Sequence, residues 1–245
     1  MAALLSVLTV LLASFIKGAI GFGFPTVATP VLALFMDVKA AVVILILPNL
    51  VMDGILALRR RGLSQTVRRH AVLYSFGVLG TFVGTYLLKV IASRLALLIL
   101  GGLVMTFVAV NLSRITFRVE PRWERLLSAP AGCFAGVLGG VTNIPGLPLV
   151  LYFYALGLEK GEFVRSLALG FVVYKGAQLV AVTQAGLVTP SLLGLSVVVT
   201  VVGLGVFWLG LRVQDRVDQA TFSRAVLAFL TLVGAFLVFR VFYGA

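Results

Sequence analysis

Apolar runs long enough to cross a bilayer dominate this chain, and two of them are interrupted in the same way. The first interruption is Lys17-Gly-Ala-Ile-Gly-Phe-Gly-Phe-Pro25, running on to Pro30. The second is Gly136-Val-Leu-Gly-Gly-Val-Thr-Asn-Ile-Pro145-Gly-Leu-Pro148. Superposed, Gly18 and Gly21 fall on Gly136 and Gly139, and Pro30 falls on Pro148. Glycine and proline break a helix and free backbone groups that lipid cannot satisfy. Such breaks survive at membrane depth only where protein or a polar cavity covers them. The pair is therefore the first place to look for a binding site.

Composition agrees with a membrane setting. Of 245 residues, 61% are hydrophobic and 11% charged, with mean hydropathy +1.15. A soluble domain carries roughly a quarter charged residues, and repeated apolar runs of about 18 residues or more mark membrane spans. The net charge of +12 fits Lys and Arg concentrated in cytoplasmic loops. Nucleic acid is not expected as a partner, because aromatic-interleaved basic patches are absent. Cys133 is the single cysteine, so an intrachain disulfide is excluded; it reads as a small buried apolar residue. The first apolar run lacks a basic leader and a small-residue cleavage site, so it reads as a retained membrane segment.

The chain divides into a first membrane repeat (1–112), an amphipathic cytoplasmic linker (113–126) and a second membrane repeat (127–245). Residues 1–36 form one apolar segment broken between Gly18 and Pro30. At 1.5 Å per residue its second arm is too short to cross a core of about 30 Å. A re-entrant hairpin fits; a single proline-kinked helix is the alternative. Spans follow at 40–58, 71–88 and 95–112. The linker carries Arg118, Glu120, Arg122, Glu124 and Arg125, with Trp123 as an interfacial anchor. The second half repeats the plan, with a broken segment at 127–156 and spans at 166–188, 191–211 and 225–243. Gly62-Leu63 and Gly186-Leu187 echo each other after matching spans.

Loop charge chooses the topology. If each broken segment returns to its own side and the amino terminus is outside, the Arg and Lys of the loops after Leu58, after Leu112, after Leu158 and after Leu211 all lie inside. Only Lys39, Lys89, Arg94 and Arg240 then lie outside. If each broken segment crosses once, the charges divide almost evenly, against the positive-inside rule. The expected fold is an all-α polytopic membrane protein of two inverted repeats, each a broken helical hairpin plus three transmembrane helices. Both termini are expected outside the cytoplasmic membrane.

The two Gly/Pro stretches, the two halves and the basic loop after the second apolar segment resemble the TauE/SafE family of membrane permeases. The resemblance spans essentially the whole chain. It implies transport, often export, of sulfite, sulfonates or similar sulfur-containing anions.

An anion inside a membrane needs positive potential and hydrogen-bond donors, and the N-termini of half-helices supply both. Gly21, Gly23, Pro25, Gly139, Gly140 and Gly146 are the candidates for shaping such a cradle; packing of helices is the competing role for these glycines. Charges within spans are costly and usually functional. Lys17 precedes the first break and Lys175 lies in mid-span, at the depth of Gln178. Asn49 and Asp53 are four apart and share a helix face. Asp53 is either the proton carrier of coupled transport or a structural partner of Lys17. Tyr174 shares a face with Gln178. Thr142 and Asn143 sit at the second break, where an amide either satisfies freed backbone or binds substrate. His70 reads as a loop residue beside a basic cluster.

These residues point to a secondary transporter of a small anion working by alternating access, with an anion channel or uniporter as the alternative. The chain lacks a catalytic grouping, a P-loop and metal-ligand spacing, so neither enzymatic activity nor a cofactor or metal is expected. The expected partners are the anion, protons if transport is coupled, and the bilayer; the oligomer is left open between a monomer and a homodimer.

Overall fold

A computed structural model describes residues 2–59, 62–112 and 118–213. The expected last span at 225–243, the loop charges at 60, 61, 114, 215, 216, 218 and 224, Arg240 and the carboxyl terminus lie outside the described residues. Every regular element among the described residues is an α-helix. In order these are α1 (Ala2–Ile20), α2 (Phe24–Leu32), α3 (Val38–Leu58), α4 (Leu63–Arg69) and α5 (Ala71–Val90). There follow α6 (Ser93–Leu112), α7 (Pro121–Thr142), α8 (Gly146–Ala155), α9 (Lys160–Gln184) and α10 (Pro190–Val213). Five of them, α3, α5, α6, α9 and α10, have the length and composition of membrane spans. Residues 121–126, read from the sequence as linker, form the first turns of α7.

The first break is narrower than the sequence suggests. Helix α1 continues through Gly18, and Pro30 lies inside α2; only Gly21–Gly23 leave the helix. Gly21 and Gly23 have φ of 93° and 100°, a conformation that a Cβ makes costly. Pro25 occupies the first turn of α2, where its missing N–H is no loss. The second break uses Asn143, at φ 69°, to end α7. Asparagine tolerates the left-handed region better than most residues.

Both broken segments end beside the pole where they began. Val119 N donates to Ala155 O at 2.8 Å, so α8 finishes next to the start of α7. Arg69 ties the same pole together, bonding Glu124 at 2.9 Å and Glu162 at 2.8 Å. At the other end of α3, Ser6, Val7 and Val10 of α1 share an apolar cavity of about 310 Å³ with Leu32 and Met36, at the end of α2.

Close glycine contacts fix the helix directions. Helix α1 runs parallel to α10, with Ser14 beside Gly203 and Gly18 against Gly210. Helix α5 runs parallel to α7, with Gly77 facing Gly136 and Gly84 facing Gly140. A Cβ at Gly140 would stand 2.6 Å from Thr81 O, and Cβ atoms at Gly80, Gly84, Gly132 and Gly136 would also meet the partner's backbone. Lipid gives helices no hydrophobic reason to associate, so such close backbone approach supplies the packing. Helices α3 and α9 pack together in opposite directions. Arg165, early in α9, bonds Thr66 Oγ1 at 2.7 Å, past the C-terminal end of α3. Further along α9, Phe171 reaches the Lys17 that pairs with Asp53.

Candidate functional site

The two breaks put the N-termini of α2 and α8 inside the protein, and no side chain caps either of them. The first N–H groups of a helix have no partner within it, and they form its positive end. All of α2, from Phe24 to Leu32, is buried. A buried helix N-terminus of this kind is suited to an anion.

Lys17 lies in the last turn of α1 and reaches across to α3. Its Nζ donates to Asn49 Oδ1 at 2.5 Å and pairs with Asp53 Oδ1 at 2.6 Å. All three residues are 0% exposed. The ammonium also lies 5.5 Å from the centre of the Phe171 ring on α9, within cation–π range. Asn49 Nδ2 and Asp53 Oδ2 have no hydrogen-bond partner. Buried polar atoms nearly always have one, so this donor and this acceptor are available to something else.

A second lysine serves the second break. Lys175 Nζ donates to Asn143 O at 3.0 Å, to Gln178 Oε1 at 2.6 Å and to Asn143 Oδ1. Three acceptors match the three donors of an ammonium. None of them is a carboxylate. Gln178 Nε2 donates in turn to Gly139 O at 3.0 Å and Gly140 O at 3.3 Å. The last carbonyls of α7 are thus covered by a cation and an amide, as the negative end of a helix favours. Asn143 Nδ2 contacts Thr29 Oγ1 at 3.4 Å, which joins the second break to the middle of α2. The charge of Lys175 also acts through space on Asp53 and Lys17.

A model of the TauE/SafE sulfite exporter family matches residues 6–237. The chain belongs to that family. No curated protein and no solved structure matches it. TauE/SafE membership implies membrane transport of sulfite or a related sulfur anion, and with the apolar helices it makes this a multi-pass membrane protein.

In this TauE/SafE chain the breaks bring together Lys17, Asn49 and Asp53 on one side and Asn143, Lys175 and Gln178 on the other. Gly21, Gly23 and Pro25 shape the first turn. Gly139 lies under Pro145, whose Cβ is 2.9 Å from where a Cβ on Gly139 would be. Gly140 serves the α5 contact, and its carbonyl serves Gln178. Gly146 opens α8 with ordinary room toward Phe171, 3.5 Å from a Cβ there. Thr142 Oγ1 donates to Leu138 O at 2.6 Å and accepts from Ile144 N at 3.2 Å, holding the local turn. Tyr174 does not join Gln178: its hydroxyl crosses to Leu73 O, 3.0 Å away, in the space left by Gly77. His70 is the turn residue between α4 and α5, beside Arg68 and Arg69. It is fully buried at the start of α5, between the rings of Tyr74 and Phe153. Burial pushes its pKa down to about 4, against the opposing pull of Glu124. Phe171 went unread although it lies four residues before Lys175, on the same helix face. Thr29 gave no signal in the sequence.

Proposed function

We propose that the chain is a secondary transporter that carries a small sulfur-containing anion, sulfite or an organosulfonate, across the cytoplasmic membrane by alternating access. The observation that carries the reading is the meeting of two buried lysines, an unpartnered amide donor on Asn49 and two uncapped half-helix N-termini. Together they offer positive potential and donors away from water, which an oxyanion requires.

The relation between the halves supports the mechanism. If α1, α2, α3 and α5 correspond to α7, α8, α9 and α10, the parallel contacts exchange partners: α1 packs on α10 and α7 packs on α5. The corresponding helices α3 and α9 run in opposite directions. Both features are expected of inverted repeats about an axis in the membrane plane, the plan on which many alternating-access transporters are built. Positive loop charge puts the pole of Arg69, Glu124 and Glu162 in the cytoplasm and the amino terminus outside.

The test is counterflow of labelled sulfite and methanesulfonate in proteoliposomes. The wild type exchanges label against internal anion, and Lys175→Gln loses most of this exchange while remaining monodisperse in detergent. Unimpaired exchange by Lys175→Gln would remove the site. Conduction down a gradient without counterflow would replace the transporter by a channel.

A further inference from the structure

Among the described residues, three ionisable side chains are buried within the membrane segments: Lys17, Lys175 and Asp53. Asp53 pairs with Lys17. Lys175 is fully hydrogen-bonded, but only to neutral oxygens. With all three ionised, the cluster holds one positive charge more than it balances. A net charge in low dielectric is expensive unless something of opposite sign joins it. Asp53 Oδ2 stands without a partner, so the aspartate also has a free atom at which to take a proton.

We propose that the site counts charge: it takes one singly charged oxyanion of the sulfonate or hydrogen sulfite kind unaided, and it takes a doubly charged one only together with a proton on Asp53. This rests on the anion-site reading above. A monoanion brings the cluster of Lys17, Lys175 and Asp53 to neutrality. A dianion leaves one negative charge in excess, and a proton moving from water to Asp53 Oδ2 cancels it. The charges that act on Asp53 are those of Lys17 and Lys175. Lys17 comes from α1 and Lys175 from α9, while α2 carries no ionisable side chain. Arg212 of α10 and Arg94 of α6 stand in the terminal turns of their helices.

The experiment measures binding of methanesulfonate and of sulfate to the full chain in lipid nanodiscs, by calorimetry or thermal shift, from pH 8 down to pH 5.5. Both probes keep their charge over this range, so any pH effect belongs to the protein. The wild type should bind methanesulfonate at least tenfold more tightly than sulfate at pH 8, with little change on acidification. Its sulfate affinity should rise by up to tenfold per pH unit, the signature of one proton taken up per anion. Asp53→Asn should bind sulfate in preference to methanesulfonate, independently of pH. Equal binding of the two probes by the wild type at pH 8, or sulfate binding insensitive to pH, would overturn the proposal. An unchanged preference in Asp53→Asn would do the same. If Asp53→Asn does not fold, the wild-type pH series decides alone. Lys175→Gln separates the two readings. If it binds both probes as the wild type does, the anion site itself falls. If it loses both while the wild type ignores probe charge, only the charge count falls.

Discussion

Replacing Gly140 by alanine tests the close packing of α5 on α7. The added Cβ would stand 2.6 Å from Thr81 O, 2.7 Å from Thr85 N and 2.8 Å from Gly84 C. All three are backbone atoms, so no side chain can swing away. Ordinary contact begins at 3.4 Å, and the helices must part by roughly 0.8 Å or tilt. Forcing extra volume into a packed contact costs about 1–3 kcal/mol. Alanine returns up to about 1 kcal/mol through its higher helix propensity. The control reverses the sign. Gly102 on α6 and Gly205 on α10 have nothing within 4 Å of an added Cβ, so alanine there should be neutral or stabilising. Thermal unfolding in detergent, followed by intrinsic fluorescence, should show Gly140→Ala melting several degrees below wild type (about 2–4 °C per kcal/mol for a chain this long). Gly102→Ala and Gly205→Ala should melt at or above it. Gly140→Ala melting with the controls would refute the close approach.

Lys17→Met strips Asp53 of its partner at 0% exposure and should cost about 3–5 kcal/mol. The double variant Lys17→Met/Asp53→Leu should recover most of that, and a single variant as stable as wild type would show that the pair is not buried as described. His70 ordinarily titrates near 6.5 and is held to about 4 when folded. The unfolded chain therefore binds the proton more readily, and stability is full above pH 6.5 and lost toward pH 4, by up to about 1.4 kcal/mol per pH unit. His70→Gln should flatten that part of the melting-temperature profile, and an unaltered slope would mean that another group causes it. In a Cys133→Ser background, cysteines at Ser64 and Glu159 should be labelled from the same membrane side and one at Gln184 from the other. Labelling of Ser64 and Glu159 from opposite sides would mean that the second broken segment crosses the membrane.

Much of the fold was legible because lipid simplifies the code. Span length follows from bilayer thickness, so α3, α5, α6, α9 and α10 begin and end within a few residues of the expected positions, apart from the earlier start of α9. The breaks were legible because few residues besides glycine and asparagine accept the backbone at Gly21, Gly23 and Asn143. Their width was not, because Gly18 and Gly21 look alike in sequence although one packs and the other turns. The pairing of Lys17 with Asp53 was one of two open readings. The grip of Lys175 on Asn143 was not foreseen, since it joins residues 32 apart with no periodic pattern. Tyr174 shows the limit of face arguments. Its spacing from Gln178 gives a shared side of α9, but its long side chain follows the space left by Gly77. The short helix α4 and the burial of His70 escaped notice because a basic stretch reads as loop until Glu124 and Glu162 are known to lie beside it.

The crossed contacts, α1 with α10 and α5 with α7, bear on how such a chain can be divided. Severed in the linker, each fragment would carry a glycine-lined face whose mate is on the other fragment. Neither fragment should be stable alone, and the two made together should reassemble into a working protein. If the halves are the inverted repeats proposed above, an ancestor of half this length would have had to insert in both orientations and pair with an upside-down copy of itself. Fusion of two such copies would then have fixed the orientation of each, leaving their sequences free to diverge into one half with a paired lysine and one half with a lysine that has no carboxylate beside it.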